Sequence, residues 1–148
     1  MFKIISKILA DRLAPLMPHL ISSEQRGFIQ GRHIKDSMGL ASEAINLLDS
    51  KSWCGKIVLK VDIAKAFDTL KWSFLLKVLN QFGFNNSLCS WIQCNLQSVV
   101  PSIFVNDSLN GYFNCTNRVR RGDPLSPLLF CQAEDVLSRH LYNLVISG

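Results

Sequence analysis

The chain has 148 residues, of which 48% are hydrophobic and 18% charged, and its net charge is +5. A chain of this composition can bury one core, which excludes a disordered tail, and its apolar runs are too short for a membrane span of about 18 residues. The basic excess, which suits a polyanionic partner, lies between Met1 and Lys77, where 12 basic residues accompany 7 acidic ones.

The cysteines indicate a reducing compartment. There are five, an odd number, and none forms a CxxC pair or a Cys/His cluster. Reduced thiols are typical of nuclear or cytoplasmic proteins rather than secreted ones. The basic, amphipathic start of the chain is also compatible with a mitochondrial presequence, against which Asp11 counts.

Two helices are predicted in the first third of the chain. Apolar residues at helical spacing predict a helix over residues 3–14, which Pro15 ends. A loop with two glycines, SSEQRGFIQGRH, follows. Asp36 is predicted to cap a second helix that ends at Asp49 and buries a stripe of Leu40, Ala44, Leu47 and Leu48.

After a break at Gly55, alternating residues predict a strand over 56–62 with Ile57, Leu59 and Val61 on its buried face. The turn-like stretch AKAFD follows the strand. Later patterns predict a helix over residues 72–82, a helix capped by residues 85–87, a hairpin whose loop is residues 107–110, and a helix from Ser126 to about Leu141. This order predicts an α+β fold in which helices cover a short antiparallel sheet.

Asp62 is the first candidate site residue. It ends the predicted strand in KVDIAKAFD, and Ile63 follows with a free backbone carbonyl. Mg²⁺ prefers carboxylate, carbonyl, water and phosphate ligands, so these two residues could form half of a metal site. The alternative is a carboxylate that caps a helix or is simply solvated.

A basic loop, RVRRGDPLSPLLF, is the second candidate. Gly122 permits a tight turn, prolines stiffen it, and Arg118, Arg120 and Arg121 add positive charge at the start of a helix. Such a loop can bind phosphate through side chains and backbone N–H groups. The alternative is a solvated basic loop.

Together these motifs resemble a known family. KVDIAKAFD resembles the first catalytic motif of reverse transcriptases, GDPLSPLLF their second palm motif, and SSEQRGFIQGR the preceding segment of non-LTR, LINE-type retrotransposons. Order and spacing agree. Connecting segments such as KIISKILADRL and LLKVLNQFGF are similar to the plant form of the family, so the resemblance covers essentially the whole chain.

The resemblance implies part of a right-hand polymerase, with residues 1–55 on the fingers side and residues 56–148 as the first part of the palm. Asp62 would be the first catalytic metal ligand, the Ile63 carbonyl a second ligand to Mg²⁺ or Mn²⁺, and Phe67 the platform beneath the incoming sugar. Asp68 would be structural. The nucleotide or template side would include Arg121, Gly122 and Asp123, and nucleic acid would contact Lys60, Lys65, Arg118 and Arg120.

Two features of the family pattern differ here. The family usually has Gln where this chain has Arg121, and a small residue or glycine where it has Arg118. The adjacent aspartates of the third catalytic motif do not occur in the sequence, and the fingers motif expected before Met1 is missing. The two missing motifs predict a fragment that is truncated at both ends.

The sequence therefore predicts a fragment of an RNA-directed DNA polymerase that is inactive as an isolated chain. The intact parent would use an RNA template, a DNA primer and deoxynucleotides, with no membrane and no obligate protein partner. The alternatives are a catalytically dead nucleic-acid-binding remnant and a retrotransposon-derived reading frame without a functional product.

Overall fold

The computed structural model describes residues 2–51, 56–98 and 100–147. Its elements, in chain order, are α1 (Phe2–Leu13), α2 (Met17–Leu20), α3 (Ile34–Leu48), α4 (Ala66–Thr69), α5 (Trp72–Gln81), α6 (Asn86–Gln97), β1 (Ser102–Val105), β2 (Ser108–Tyr112) and α7 (Ser126–Ser147). Helices with one small antiparallel sheet confirm the α+β class in its coarse form. Gly55, where a break was predicted, lies outside the described residues.

The core lies between α1, α2, α5, α6 and α7. Helix α5 packs against both α6 and α7. The side chains at its centre are almost completely buried, namely Met17, Leu75, Leu79, Ile92, Val119, Leu125 and Leu129. Burial of each such side chain contributes about 1.5–3 kcal/mol, so this cluster is the main source of stability.

Local signals set several helix ends as expected. Helix α1 stops at Leu13, before Pro15. Gly83, at φ 83°, follows the end of α5. The Asn85 side chain caps α6 by accepting a hydrogen bond from the Leu88 N–H at 2.8 Å. Helix α7 extends past the predicted end to Ser147.

The hairpin is confirmed, but its turn is tighter than predicted. Val105 pairs with Ser108, so the two-residue loop is Asn106–Asp107 rather than residues 107–110. Both loop residues have positive φ, 48° and 59°, as a type I′ turn requires. All of β2 and most of β1 are exposed, so the prediction that helices cover the sheet was wrong.

The predicted burial of α3 was also wrong. No residue of α3, all of which the structure describes, is buried, and Leu40 and Leu47 are each 59% exposed. The predicted cap Asp36 lies inside the first turn, after the capping residue His33. An apolar stripe is buried only if another element packs on it, which the local pattern cannot specify.

The predicted strand over residues 56–62 is absent from the described chain. These residues lie in no helix or strand, and the face that was expected to be buried is open, with Ile57 95% and Leu59 77% exposed. An isolated strand has no hydrogen-bond ladder to stabilise it. Without a pairing strand in the described residues, the β-forming sequence stays irregular.

Candidate active site

Asp62 lies in the irregular segment that leads into α4. Its side chain is exposed and lines an open cavity of about 400 Å³ between this segment and α7. Ile63 borders the same cavity, as does Glu134 from α7. The structure thus places Asp62 on an open surface, with a second carboxylate on the same cavity wall that the sequence analysis missed.

These residues do not by themselves fit a two-metal centre. In the described part of the chain, no group of three or more His, Cys, Asp and Glu side chains could hold a metal ion. Two-metal phosphoryl transfer needs several carboxylates to hold both ions. Asp62 and Glu134 supply two carboxylates on one cavity, which is fewer than that chemistry requires.

Helix α4 places Phe67 against α7 rather than in solvent. The Phe67 ring is half-buried and lies 5.2 Å from the Phe130 ring, centroid to centroid, at an interplanar angle of 35°. Lys65 precedes the helix in a left-handed conformation with φ 51° and is exposed. Lys60 is also exposed, in the irregular segment.

Backbone hydrogen bonds join α4 to the basic loop. The Val119 N–H donates to the Phe67 carbonyl at 2.8 Å, and the Arg118 N–H donates to the Leu70 carbonyl at 3.1 Å. The Trp72 indole N–H also donates to the Arg118 carbonyl, at 2.8 Å. The two motifs singled out in the sequence are therefore neighbours in space.

Asp68 pairs with two of the three arginines. Its Oδ1 lies 3.3 Å from the Arg118 Nε, and its Oδ2 accepts a hydrogen bond from the Arg121 guanidinium. The Asp68 side chain is only 27% exposed, whereas those of Arg118 and Arg121 are more than half exposed. One carboxylate therefore holds two cationic side chains beside the Asp62 segment.

Arg120 points elsewhere. Its Nη2 lies 3.5 Å from the Ser98 Oγ, at the end of α6, and the residue is half-buried. The three arginines, close in sequence, thus divide between α4 and α6. The sequence analysis grouped the three arginines in one phosphate-binding loop and did not predict this division.

The turn before α7 has the shape expected for the GDP triplet. Gly122 has φ 74°, a backbone conformation that residues other than glycine rarely adopt. Asp123 is half-buried, its N–H donates to the Arg120 carbonyl, and its carbonyl accepts from the Ser126 N–H at 3.2 Å. The loop is therefore a closed turn that leads directly into the helix.

The glycine-rich segment before α3 is attached to α7, which the sequence analysis did not anticipate. Asp135, whose side chain is fully buried, accepts hydrogen bonds from the Ser22 N–H, at 2.9 Å, and from the Ser22 hydroxyl. Its other oxygen pairs with the Arg139 Nε at 2.7 Å. The Gln25 amide donates to Glu134 at 2.8 Å. The segment is therefore held beside the wall of the Asp62 cavity.

Across the described ranges, no helix is both long and apolar enough to cross a membrane. Another cavity, of about 790 Å³, is lined by residues 71–73 and 76 at the start of α5, by Gln93 and Gln97 of α6 and by residues 114–117, mainly amides and hydroxyls. It contains none of the predicted site residues.

Comparison with known proteins supports the resemblance. Residues 1–147 match the family described as "Reverse transcriptase (RNA-dependent DNA polymerase)". The chain is 25% identical, over 98% of its length, to the Transposon TX1 uncharacterized 149 kDa protein of Xenopus laevis. It is 28% identical over 90% of its length to the retrovirus-related Pol polyprotein of the type-1 retrotransposable element R2 from Nasonia vitripennis.

A shorter match covers 49% of the chain at 33% identity, to the corresponding R2 polyprotein of Popillia japonica. The chain spans only 11% to 13% of the length of these relatives. Because the family match covers nearly every residue, the chain belongs to the reverse transcriptase family and is homologous to a part of non-LTR retrotransposon polyproteins.

Proposed function

We propose that the chain forms part of the fingers, residues 1–55, and the first part of the palm, residues 56–148, of an RNA-directed DNA polymerase. The observation that carries the proposal is the contact between α4, which directly follows the Asp62 segment, and the basic loop, through Asp68, Arg118 and Arg121. Nucleotidyl transfer on a nucleic-acid template uses carboxylates that hold metal ions and basic side chains that bind phosphate, and this contact brings the stretch that contains Asp62 next to two arginines. The connecting segments favour a plant element, acting in the nucleus or cytoplasm.

In the intact parent, Asp62 and the Ile63 carbonyl would contribute two of the ligands of Mg²⁺ or Mn²⁺. Phe67 would pack under the incoming deoxynucleotide, and Arg121, Gly122 and Asp123 would border the nucleotide or the template. RNA template and DNA primer would contact Lys60, Lys65, Arg118 and Arg120. Further carboxylates must come from outside this chain, so the isolated chain should bind metal weakly or not at all.

The first experiment is primer extension by the purified chain on an RNA template with Mg²⁺ or Mn²⁺. We expect no extension, because the carboxylates available are too few for two metal ions. Extension above background that is lost in Asp62→Ala would contradict this expectation and would make the isolated chain an enzyme.

The second experiment measures binding of fluorescent single-stranded RNA by anisotropy between 50 and 300 mM salt. We expect weak binding whose log K falls with log salt at a slope of about −0.7 per phosphate contact, because phosphate contacts release counterions. Replacement of Arg118, Arg120 and Arg121 by Ala should flatten that slope by up to about three contacts. The matched control replaces Lys3, Lys7 and Lys77 by Ala. These replacements remove the same amount of charge from α1 and α5.

A third variant, Asp68→Asn, distinguishes more sharply between an effect of Arg118 and Arg121 on affinity and an effect of net charge. Removing the carboxylate frees Arg118 and Arg121 from their intramolecular ion pairs, so affinity should rise about two- to tenfold and the slope should steepen. Asp11→Asn, which releases Lys7 from its pair on α1, makes the same change in net charge and serves as the control. Equal gains from both variants would show that net charge alone governs binding.

A catalytically dead nucleic-acid-binding remnant is the second candidate. It is favoured by the exposed guanidinium groups of Arg118 and Arg121, which can contact phosphate whether or not a catalytic centre is present. Salt-dependent binding without extension by the parent polyprotein would support it over the polymerase.

A further inference from the structure

Phe28 has an unusual place in the segment that precedes α3. Its φ is 58°, in the left-handed region, and the residue is 64% exposed. Left-handed backbone is normally occupied by Gly, Asn or Asp, and it is a true outlier for a bulky side chain. A large aromatic ring is therefore presented to solvent from a backbone conformation that disfavours it.

The neighbouring residues hold this conformation in place. The Arg32 guanidinium donates hydrogen bonds to four backbone carbonyls, those of Pro18, Ile21, Ser22 and Gln25. On one side of Phe28 the Gly27 carbonyl accepts from the Cys131 thiol, and on the other side Ile29 is only 4% exposed. The strained residue thus sits between two anchored neighbours, which hold its backbone in this conformation.

The segment that carries Phe28 is attached to the helix that lines the candidate active site. The Gln25 amide contacts Glu134, which lines the Asp62 cavity. Three residues of chain span at most about 10 Å, so Phe28 lies within that distance of Gln25. Gln30 and His33, which follow Phe28 in the sequence, are exposed and polar, and Arg26 before it is paired with Asp36 at 2.8 Å. Polar neighbours suit a nucleic acid better than they suit an apolar protein surface.

We propose that Phe28 is a stacking platform for an unpaired base of single-stranded nucleic acid. The inference rests on the proposed nucleic-acid binding and adds a second, non-ionic contact to it. A base stacks on an aromatic ring whatever its identity, because every base has a π-face. A rigid backbone lowers the entropy cost of stacking, which gives the strained conformation a function.

The test compares the wild-type chain with Phe28→Ala on a fluorescent ten-residue oligothymidylate across a range of salt concentrations. Stacking is worth about a 5- to 100-fold change in affinity per base. We expect Phe28→Ala to lower affinity within that range without changing the salt slope, whereas the triple arginine variant changes the slope. Phe28→Tyr, which keeps the π-face, should retain affinity within about twofold, and Phe28→Leu should behave as Phe28→Ala.

An abasic oligomer with the same number of phosphates is the matched ligand control. The wild-type chain should bind it as weakly as Phe28→Ala binds oligothymidylate, and the Phe28 variants should all bind it equally. Equal loss on both ligands would overturn the stacking proposal, because it would mean that the ring acts through the fold. Oligothymidylate binding that is unaffected by Phe28→Ala would overturn it as well, while leaving the proposed function intact.

Phe28→Gly supplies a readout that a merely structural ring would not give. Glycine relieves the left-handed strain, so the thermal midpoint should rise or stay level while oligothymidylate affinity falls as in Phe28→Ala. A lower midpoint together with unchanged affinity would assign the ring to packing and overturn the proposal. If the wild-type chain binds neither oligomer, the proposed nucleic-acid binding itself fails.

Discussion

Arg118 has a backbone angle that favours glycine. Its φ is 89°, outside the range that a residue with a side chain adopts without strain. The resemblance described above predicts a small residue or glycine here, and a glycine would accept this angle freely. The Arg118 backbone is nevertheless held, because its N–H bonds to Leu70 and its carbonyl accepts from Trp72.

We therefore expect Arg118→Gly to be more stable than Arg118→Ala by about 1 kcal/mol, because both lose the ion pair but only glycine relieves the strain. Urea unfolding of the two variants measures the difference. The control is Arg120, whose φ is not positive, where glycine should be less stable than alanine by about 0.5–1 kcal/mol. The same order at both positions would argue against strain at Arg118.

Cys131 couples stability to pH. Burial, with the nearby Glu134 charge, raises the pKa of the Cys131 thiol to about 11, whereas a thiol in the unfolded chain titrates near 8.5. Above about pH 8.5 the thiol loses its proton in the unfolded chain before it does so in the folded chain. The contribution of the buried thiol to stability is therefore fully present below about pH 8.5 and declines toward pH 11. The free energy of unfolding should therefore fall more between pH 8 and pH 10.5 in the wild-type chain than in Cys131→Ala.

Urea titrations at the two pH values provide the measurement. Cys94 is exposed, so Cys94→Ala should retain the wild-type pH dependence. An identical decline in Cys131→Ala would show that other groups, and not the buried thiol, cause it.

At the scale of elements, the attachment of the glycine-rich segment to α7 is the most consequential contact. Asp135 is buried, accepts two hydrogen bonds from Ser22 and pairs with Arg139, which also donates to the Leu20 carbonyl at 2.6 Å. Removing the Asp135 carboxylate would leave the Ser22 N–H and hydroxyl without their acceptor, whereas Arg139, 53% exposed, would keep its bond to Leu20. Asp135 is therefore expected to be a main attachment of the segment that carries Phe28, beside the Gln25–Glu134 and Gly27–Cys131 hydrogen bonds.

We expect Asp135→Ala to lower the free energy of unfolding by about 3 kcal/mol, and Asp135→Asn by less, since the amide can still accept one hydrogen bond. The matched control is Asp11→Ala, which breaks another i,i+4 pair, Lys7–Asp11 at 2.7 Å, between exposed side chains. That change should cost about 0.5 kcal/mol or less. Chemical denaturation measures both, and similar losses would contradict a special role for Asp135.

At the scale of the whole molecule, the helices are unequally protected. Helices α5, α6 and α7 share the core, whereas no residue of α3, described in full, is buried. Helices in water are marginal without tertiary packing. Hydrogen exchange should therefore be much faster at α3 amides than at amides of α6 and the first half of α7.

Mass-spectrometric hydrogen exchange on the purified chain checks this expectation. Peptides from α6 provide an internal control, because they report global unfolding. Equal protection of α3 and α6 would show that the apolar face of α3 is covered in solution, for instance by a second copy of the chain.

Local interactions alone determined much of the fold. Pro15 after α1, Gly83 after α5 and the Asn85 cap act within a few residues, and each was predictable from the sequence. The motifs around Asp62 and Gly122 likewise indicated the reverse transcriptase family, which the comparison confirms. These signals are readable because the interacting groups are close in the chain.

Only the tertiary structure decided which apolar faces are buried and which charges meet. The face predicted to be buried in residues 56–62 is exposed, and so is α3, because burial depends on a packing partner that a local pattern does not specify. The pairing of Asp68 with Arg121 joins residues 53 positions apart, and that of Ser22 with Asp135 joins residues 113 apart. Such contacts form only once the helices have packed, because packing brings residues that are distant in sequence together. Packing also buries polar groups, and a buried charge is costly unless it is paired.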